Sequence, residues 1–400
     1  MSKLLFVSMA ARIIYDDQGN PYLNSHMNRN TVERYANLCD CFTMFLRDSR
    51  IRLSEAEAKE RCNPFPLDLA DLIVEYDPYS PVWNWLNLSQ RKRFDAALET
   101  AILDADKVIF SAASNFYVNK GINFCKKYGK PYLVLNGGFS FETDWNNKNP
   151  LGKLLAPIRE YRCRKNLAEA PYALYVTNWS LQKRYPCKGV SVGCSDVEIP
   201  KLTEDILEKR QKKIFALPAG KLTLGTIGEV DNRNKSQTDV IRAISRVKQA
   251  LPEMRFEYQL VGGGNPEKLL KAAEKWGVAD CVKVIGQIPH SEIYSWLDQI
   301  DIYIQPSRSE GLCRAVVEAM SRACPVICST AGGNVELCSE EFSFRAGKID
   351  RITDCLIRMC DVPTLHRQAE RSFAAAKAYE SEKLDEIRNA FLQGFLYGVR

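Results

Sequence analysis

No stretch of this 400-residue chain approaches the roughly 20 consecutive apolar residues that a membrane span requires. The opening run, MSKLLFVSMAARIIYDDQG, is too short in its apolar part for a signal peptide and meets charge quickly. There are 14 cysteines, yet none forms a CxxC pair and no His/Cys cluster has zinc-ligand spacing. Cys125, Cys281, Cys324 and Cys328 sit inside apolar runs and are expected as small buried side chains in a reducing cytosol. Histidine is scarce, at three residues, so histidine chemistry has few positions to occupy. Sequence repeats and low-complexity tracts are absent. The three glycines of LVGGGNPEK lack the GxGxxG spacing of a dinucleotide fingerprint, which argues against a nicotinamide dehydrogenase. A composition 46% apolar and 26% charged excludes a disordered chain. The net charge of +6 is mild: it suits an anionic small ligand or an anionic membrane surface and gives no reason to expect nucleic acid. A cytoplasmic protein is the expectation.

What is present is a regular alternation. Short apolar runs at 3–9, 41–47, 71–76, 107–112, 131–137, 172–177 and 189–194 read as strands, and amphipathic stretches such as SQRKRFDAALETAILDA separate several of them. Residues 200–220 are charged and bounded by prolines, so they read as a link or an excursion. The pattern then restarts at 221–228, 255–264, 282–288, 301–307, 324–330 and 341–346. This predicts an α/β chain of two doubly wound, Rossmann-like domains, 1–200 and 201–373, with a final helical segment, 374–400, packing back on the first. In open sheets of this kind ligands bind beyond the carboxyl ends of the strands, so the cleft between the domains is the expected site.

The densest chemistry lies in PSRSEGLCRAVVEAMSRACPVICSTAGG, where seven residues separate Glu310 from Glu318. A strand delivers the chain to Glu310, and Gly311 and Leu312 are expected to open a helix. Free N–H groups at such a mouth attract phosphate, and glycine permits close approach of a ligand. Glu318 would then lie about 10–12 Å along the helix from Glu310. Carboxylates accept hydrogen bonds from sugar hydroxyls, so this separation could span a diphosphate with a hydroxylated ring at each end. On spacing alone the plain alternative stands: Glu310 a first-turn acid, Glu318 a solvated one.

The run EGLCRAVVEAMSRACPVI, with STAGGNVEL after it, resembles the signature of glycosyltransferase family 4, the retaining GT-B group. Segments GNPYLNSHMNRNTVERYANLCD and APYALYVTNWSLQKRYP look like members of that family that build bacterial surface polysaccharides. The resemblance covers nearly the whole chain. It implies a GT-B fold and transfer of a sugar from a nucleoside diphosphate sugar to a glycan, with an acceptor carried on a lipid diphosphate. It implies that Glu310 contacts the transferred sugar and Glu318 the ribose, with Gly311, Leu312 and Gly228 in the donor site. The family's basic pair falls on GTIGEVDNRNKSQTDVIRAI: Lys235 aligns with the family lysine and Arg233 is the nearest arginine, both meeting diphosphate charge. Two departures stand out. Ser236 replaces the usual glycine, and the family's arginine lies further upstream. Gly286, Gln287 and Ile288 would bracket the base through backbone groups, with His290 supporting that loop.

In the first domain, the family's loop near donor phosphates and acceptor corresponds to the stretch around Gly19, Asn24, Ser25 and His26, which is poorer in glycine than usual. Some relatives place a histidine after the fourth strand. Here Ser111 and Ser114 stand there instead, which weakens a base-catalysed scheme and leaves front-face attack assisted by the leaving phosphate. No cofactor or metal is expected, since cations and helix N–H groups can hold a diphosphate. The DAD at Asp104–Asp106 reads as solvated charge. Residues 145–188 are rich in lysine and arginine and interleaved with Trp145, Tyr161, Tyr172, Trp179 and Tyr185. They fit either peripheral contact with anionic lipid at the inner face of the cell membrane or a solvated helix face over buried aromatics. Two other readings remain open on sequence grounds: a catalytically silent binding protein of the same fold, and a nucleotide-sugar hydrolase or epimerase.

Overall fold

The computed structural model describes residues 2–24, 27–79, 86–146 and 150–398. The first sheet is built from β1 (Lys3–Asp16), β2 (Pro21–Leu23), β3 (Cys41–Leu53), β4 (Asn63–Pro64), β5 (Asp71–Glu75), β6 (Lys107–Ser111), β7 (Tyr132–Asn136), β8 (Tyr172–Tyr175) and β9 (Val190–Gly193). Its parallel part runs β5-β3-β1-β6-β7-β8-β9. Chain order therefore reverses between β1 and β6, the arrangement of a Rossmann fold. The second sheet contains β10 (Lys221–Ile227), β11 (Arg255–Val261), β12 (Val282–Gly286), β13 (Ile302–Gln305), β14 (Val326–Ser329) and β15 (Ser343–Phe344), in the order β12-β11-β10-β13-β14-β15. All its pairings are parallel, and the reversal falls between β10 and β13. Central strands β13 and β14 are buried at every position, as strands covered by helices on both faces must be.

The expected strands are all present, and the first sheet holds two more. β1 does not stop at residue 9. Its first part pairs with β6 through Leu4–Ser8, and its second part continues past the sheet to pair antiparallel with β2. The segment read as a link, 200–220, carries a helix, Glu204–Phe215, packed on the second domain. The fully buried Arg210 guanidinium donates to the carbonyls of Leu297, Ile300 and Arg322 at 2.8, 2.6 and 3.2 Å, tying down the ends of two other helices.

After the second sheet the chain returns. The crossing at Ile199 lies beside the crossing at Glu380, and the Glu380 carboxylate accepts from the Leu202 N–H. The last helix, Ser381–Tyr397, lies against the first domain: Phe391 and Phe395 meet the Tyr172 ring, Arg388 donates to the Ser195 carbonyl, and Lys107 donates to the Phe395 carbonyl. Cys125, Cys281, Cys324 and Cys328 are buried free thiols. Among the described residues no helix is long and apolar enough to cross a membrane.

Candidate active site

The carboxyl ends of the two sheets face each other across a cleft of about 820 Å³. From the second domain, β10 runs out at Gly228 and a short 3-10 turn, Arg233–Lys235, brings Lys235 to the cleft. β13 delivers the partner. Lys235 Nζ lies 2.9 Å from Glu310 Oε1, and Gln305 Nε2 donates to the same oxygen at 3.1 Å. Gln305 is itself held, since its amide donates to Ser307 Oγ and its carbonyl oxygen accepts from the Tyr303 hydroxyl. A buried chain of hydrogen bonds thus runs from the strand interior to the Glu310 carboxylate and fixes it. Burial pushes the Lys235 ammonium down, but the Glu310 carboxylate more than offsets this and its pKa stands above the ordinary lysine value. At neutral pH the cleft therefore holds a fixed cation beside a carboxylate with a free oxygen.

Glu318 lines the same cleft from the helix Arg314–Ser321. Its carboxylate is mostly buried, and His290 Nε2 approaches to 3.5 Å from the edge of the cleft. The helix begins later than the sequence suggested. Gly311 and Leu312 are not helical; Cys313 precedes the first turn and Arg314 starts it. The reason is a contact between domains: a Cβ at Gly311 would overlap the Gly137 carbonyl oxygen of the first domain. Gly311 serves close backbone approach, as expected, but the partner it meets is protein.

The other predicted residues divide. Gly228 and Leu312 line the cleft, and the Gly228 backbone lies against the aliphatic stem of Lys235. Arg233 does not line it; the side chain is exposed on the same turn. At three residues per turn, a position two before Lys235 points about 120° away from it. Arg314, which the sequence reading missed, lines the cleft from the second domain. Gly286, Gln287 and Ile288 also stay out of it. Gly286 ends β12 in a left-handed conformation, φ 85°, and accepts from the Gly262 N–H, while His290 and Ile293 reach the cleft from the helix that follows. Gly19 sits in the turn between β1 and β2, where the Asp16 carboxylate accepts from Gln18 and Asn20. Asn24 accepts from the Arg12 N–H. Both pin the hairpin and neither lines the cleft. Ser25 and His26 lie outside the described residues.

The first domain contributes instead Ser8, where the pairing of β1 with β6 stops, and Ser111 and Asn136 from the ends of β6 and β7, with Thr31 and Arg34 also in the lining. Ala112, just past β6, holds φ 71°, a left-handed conformation that a non-glycine residue adopts at a cost of about 1–2 kcal/mol. Asn136 is buried with its Nδ2 lacking a hydrogen-bond partner. Apart from Arg34, these groups are uncharged hydrogen-bonding partners, suited to a hydroxyl. One signal for them was available: the polar NGG that closes the apolar run YLVL at a strand's carboxyl end. Arg388, which lines the cleft from the last helix, had none. Among the described residues no three His, Cys, Asp or Glu side chains gather as metal ligands.

Residues 221–361 match the family described as glycosyl transferases group 1. Over 271 residues, 67% of this chain, the sequence is 30% identical to Protein CapJ of Staphylococcus aureus, and the aligned stretch spans 66% of that protein, just under two thirds. A shorter stretch of 95 residues, 22% of this chain, is 39% identical to the amylovoran biosynthesis glycosyltransferase AmsK of Erwinia amylovora and spans 23% of it. Among solved structures, Anabaena HepE in complex with UDP-glucose superposes with a TM-score of 0.62, covering 98% of this chain and 100% of that one at 14% identity. That likeness is one of fold: two facing Rossmann-like domains, the GT-B arrangement.

Proposed function

The chain belongs to the group 1 glycosyltransferases, and from that premise we propose that it transfers a sugar, with retention of configuration, from a nucleoside diphosphate sugar to a glycan hydroxyl in polysaccharide synthesis. The observation that carries this reading is the Lys235–Glu310 pair at 2.9 Å, facing a cleft that Glu318 also lines. Lys235, with Arg314 beside it, meets the charge that grows on the diphosphate as the sugar leaves. The free oxygen of Glu310 accepts from hydroxyls of the departing sugar, and Glu318 accepts from the ribose. The acceptor hydroxyl rests among Ser8, Ser111 and Asn136. Its oxygen bonds to the anomeric carbon as the bond to the diphosphate oxygen breaks, and its proton passes to that same leaving oxygen. The pairing needs no protein base and no metal. HepE, of the same fold, was solved with UDP-glucose, and AmsK is by name an amylovoran biosynthesis glycosyltransferase; both favour a nucleotide-sugar donor and a glycan acceptor here.

The acceptor is carried on a lipid diphosphate, and the enzyme meets it at an anionic membrane face. Support comes from the helix Pro150–Ala168, whose outward side exposes Leu154, Ile158 and Tyr161 next to Lys165. The test is a titration with UDP-, GDP- and ADP-sugars followed by thermal stability, with Glu318→Ala alongside. One nucleotide class should stabilise the protein selectively and the variant should lose that response. Stabilisation by none of them sinks the donor site and favours a silent binding protein. Donor turnover without acceptor favours a hydrolase.

A further inference from the structure

We propose that Glu336 is a positioning residue, a clasp between the two domains that holds the Glu310 loop against the acceptor side of the cleft. The proposal rests on the reading of the cleft given above. Glu336 closes the GGNVE run and belongs to the second domain, in the 3-10 turn Gly332–Glu336 that follows β14. Its carboxylate reaches into the first domain. Oε2 accepts from the Asn178 N–H at 2.7 Å, and Oε1 accepts from the N–H groups of Trp179 and Ser180 at 3.1 and 2.6 Å. Three consecutive backbone donors on one carboxylate form a charge-assisted set stronger than neutral pairs. Among the described residues no lysine or arginine pairs with Glu336, so those donors are what it holds.

The same turn grips the donor loop. The Gly333 N–H donates to the Gly311 carbonyl at 2.5 Å. A Cβ at Gly332 would overlap the Glu310 carbonyl oxygen, and one at Gly333 would crowd the Gly311 carbonyl oxygen and Thr177. Gly311 in turn lies on the Gly137 carbonyl. The backbone of Glu310–Gly311 is therefore sandwiched between the Gly332–Glu336 turn and the Gly137–Gly138 corner. Asn334, in the middle of the turn, is fully buried with both amide atoms unpartnered. Such a turn is held from outside, and the Glu336 contacts are the polar hold between it and the first domain. Lengthening them lets the first domain, with its acceptor groups, shift away from the Glu310 carboxylate, while Lys235 and Gln305 keep that carboxylate in place beside Glu318 and the nucleotide site.

The test compares wild type with Glu336→Gln and Glu336→Ala. In the glutamine variant one oxygen remains, but an NH2 group now faces backbone donors. Hydrogen exchange at amides 178–180 should rise about tenfold or more in both variants, with the rest of the first domain unchanged. In transfer assays kcat should fall about tenfold or more while Kd for UDP and GDP moves less than about twofold. A merely structural role would lower nucleotide affinity and thermal stability along with kcat. Unchanged exchange at 178–180 removes the clasp, and faster exchange with unchanged kcat removes its positioning role. If the wild type transfers no sugar, the reading of function fails separately. The clasp is then judged by exchange and by small-angle scattering of the nucleotide-free proteins, where the alanine variant should show the larger radius of gyration and an equal radius overturns the proposal.

Discussion

Lys235 is the cleft residue whose charge state the structure constrains most. Burial works against its ammonium, the Glu310 carboxylate works for it, and the carboxylate prevails, so the folded pKa is raised. A raised lysine contributes stability that is fully present below the unfolded value of about 10.4 and is lost as pH climbs through the higher folded value. Donor binding should therefore show no lysine limb below about pH 10, which a pH series of nucleotide affinities checks; a limb near neutrality would contradict the pairing. Removing the cation by Lys235→Ala should lower kcat by about 10²–10³-fold, the usual cost of losing one group that stabilises a leaving charge. Its neighbour offers a separate test. Ser236 occupies φ 50°, ψ 30°, where the family ordinarily has glycine. The left-handed conformation costs a non-glycine residue about 1–2 kcal/mol, and glycine returns about 0.5–1 of that through its looser unfolded chain. Ser236→Gly should thus stabilise the protein by about 0.5–1 kcal/mol, read as a higher urea midpoint. The structure shows the left-handed backbone at Ser236 that glycine would adopt without strain.

At the scale of elements, what local sequence could and could not determine separates cleanly. Strands β10, β13 and β14 were legible because apolar, branched runs bounded by Gly, Pro and Ser leave few other readings. The cleft positions of Glu310 and Glu318 were legible because both lie within one long signature after a strand, and those of Gly228 and Lys235 because they follow the end of β10. The start of the Arg314 helix was not, because Gly311 packs on the Gly137 carbonyl, some 170 positions away on the other domain. Arg233 was chosen by proximity in sequence, where a 3-10 turn decides orientation, and Gly19 and Asn24 were chosen as a loop where β1 continues into a hairpin. The helix Glu204–Phe215 looked like a link because its polar residues dominate, yet Arg210 within it is 3% exposed. Its guanidinium satisfies three carbonyls that end other helices. Arg210→Ala should cost about 3 kcal/mol, since it takes the arginine's bonds from the buried Leu297 and Arg322 carbonyls and leaves the Ile300 carbonyl with Lys213 alone. Chemical denaturation measures this, and a loss below about 1 kcal/mol would show that water replaces the arginine.

The whole molecule poses the question of how a two-domain protein with no spanning helix among its described residues would meet the lipid-held acceptor proposed for it. The helix Pro150–Ala168 has two apolar sides. Ala156, Cys163 and Leu167 are buried against the first sheet, while Leu154, 72% exposed, Ile158 and Tyr161, 66% exposed, lie on the outer side at spacings of four and three residues. Lys165 continues that outer stripe, and Lys153 and Arg164 flank it. The helix has one acid, Glu160, and it is turned inward, accepting from Arg164, Arg184 and the Tyr185 hydroxyl. The outward face therefore carries apolar bulk and positive charge with no carboxylate to repel an anionic surface. A solvated helix would expose polar residues there, and a face for a neutral protein partner would have no use for the one-sided charge. Each lysine or arginine near an anionic leaflet contributes about 1 kcal/mol, and each large apolar side chain that enters it about 1.5–3 kcal/mol. The protein should thus sediment with vesicles containing phosphatidylglycerol and not with pure phosphatidylcholine, and salt should weaken the binding. Leu154→Glu combined with Tyr161→Glu should lower vesicle affinity at least about tenfold, with nucleotide binding intact because neither residue lines the cleft. Equal sedimentation of the double variant, or none by the wild type, would return this face to solvent and leave the acceptor to be a soluble glycan.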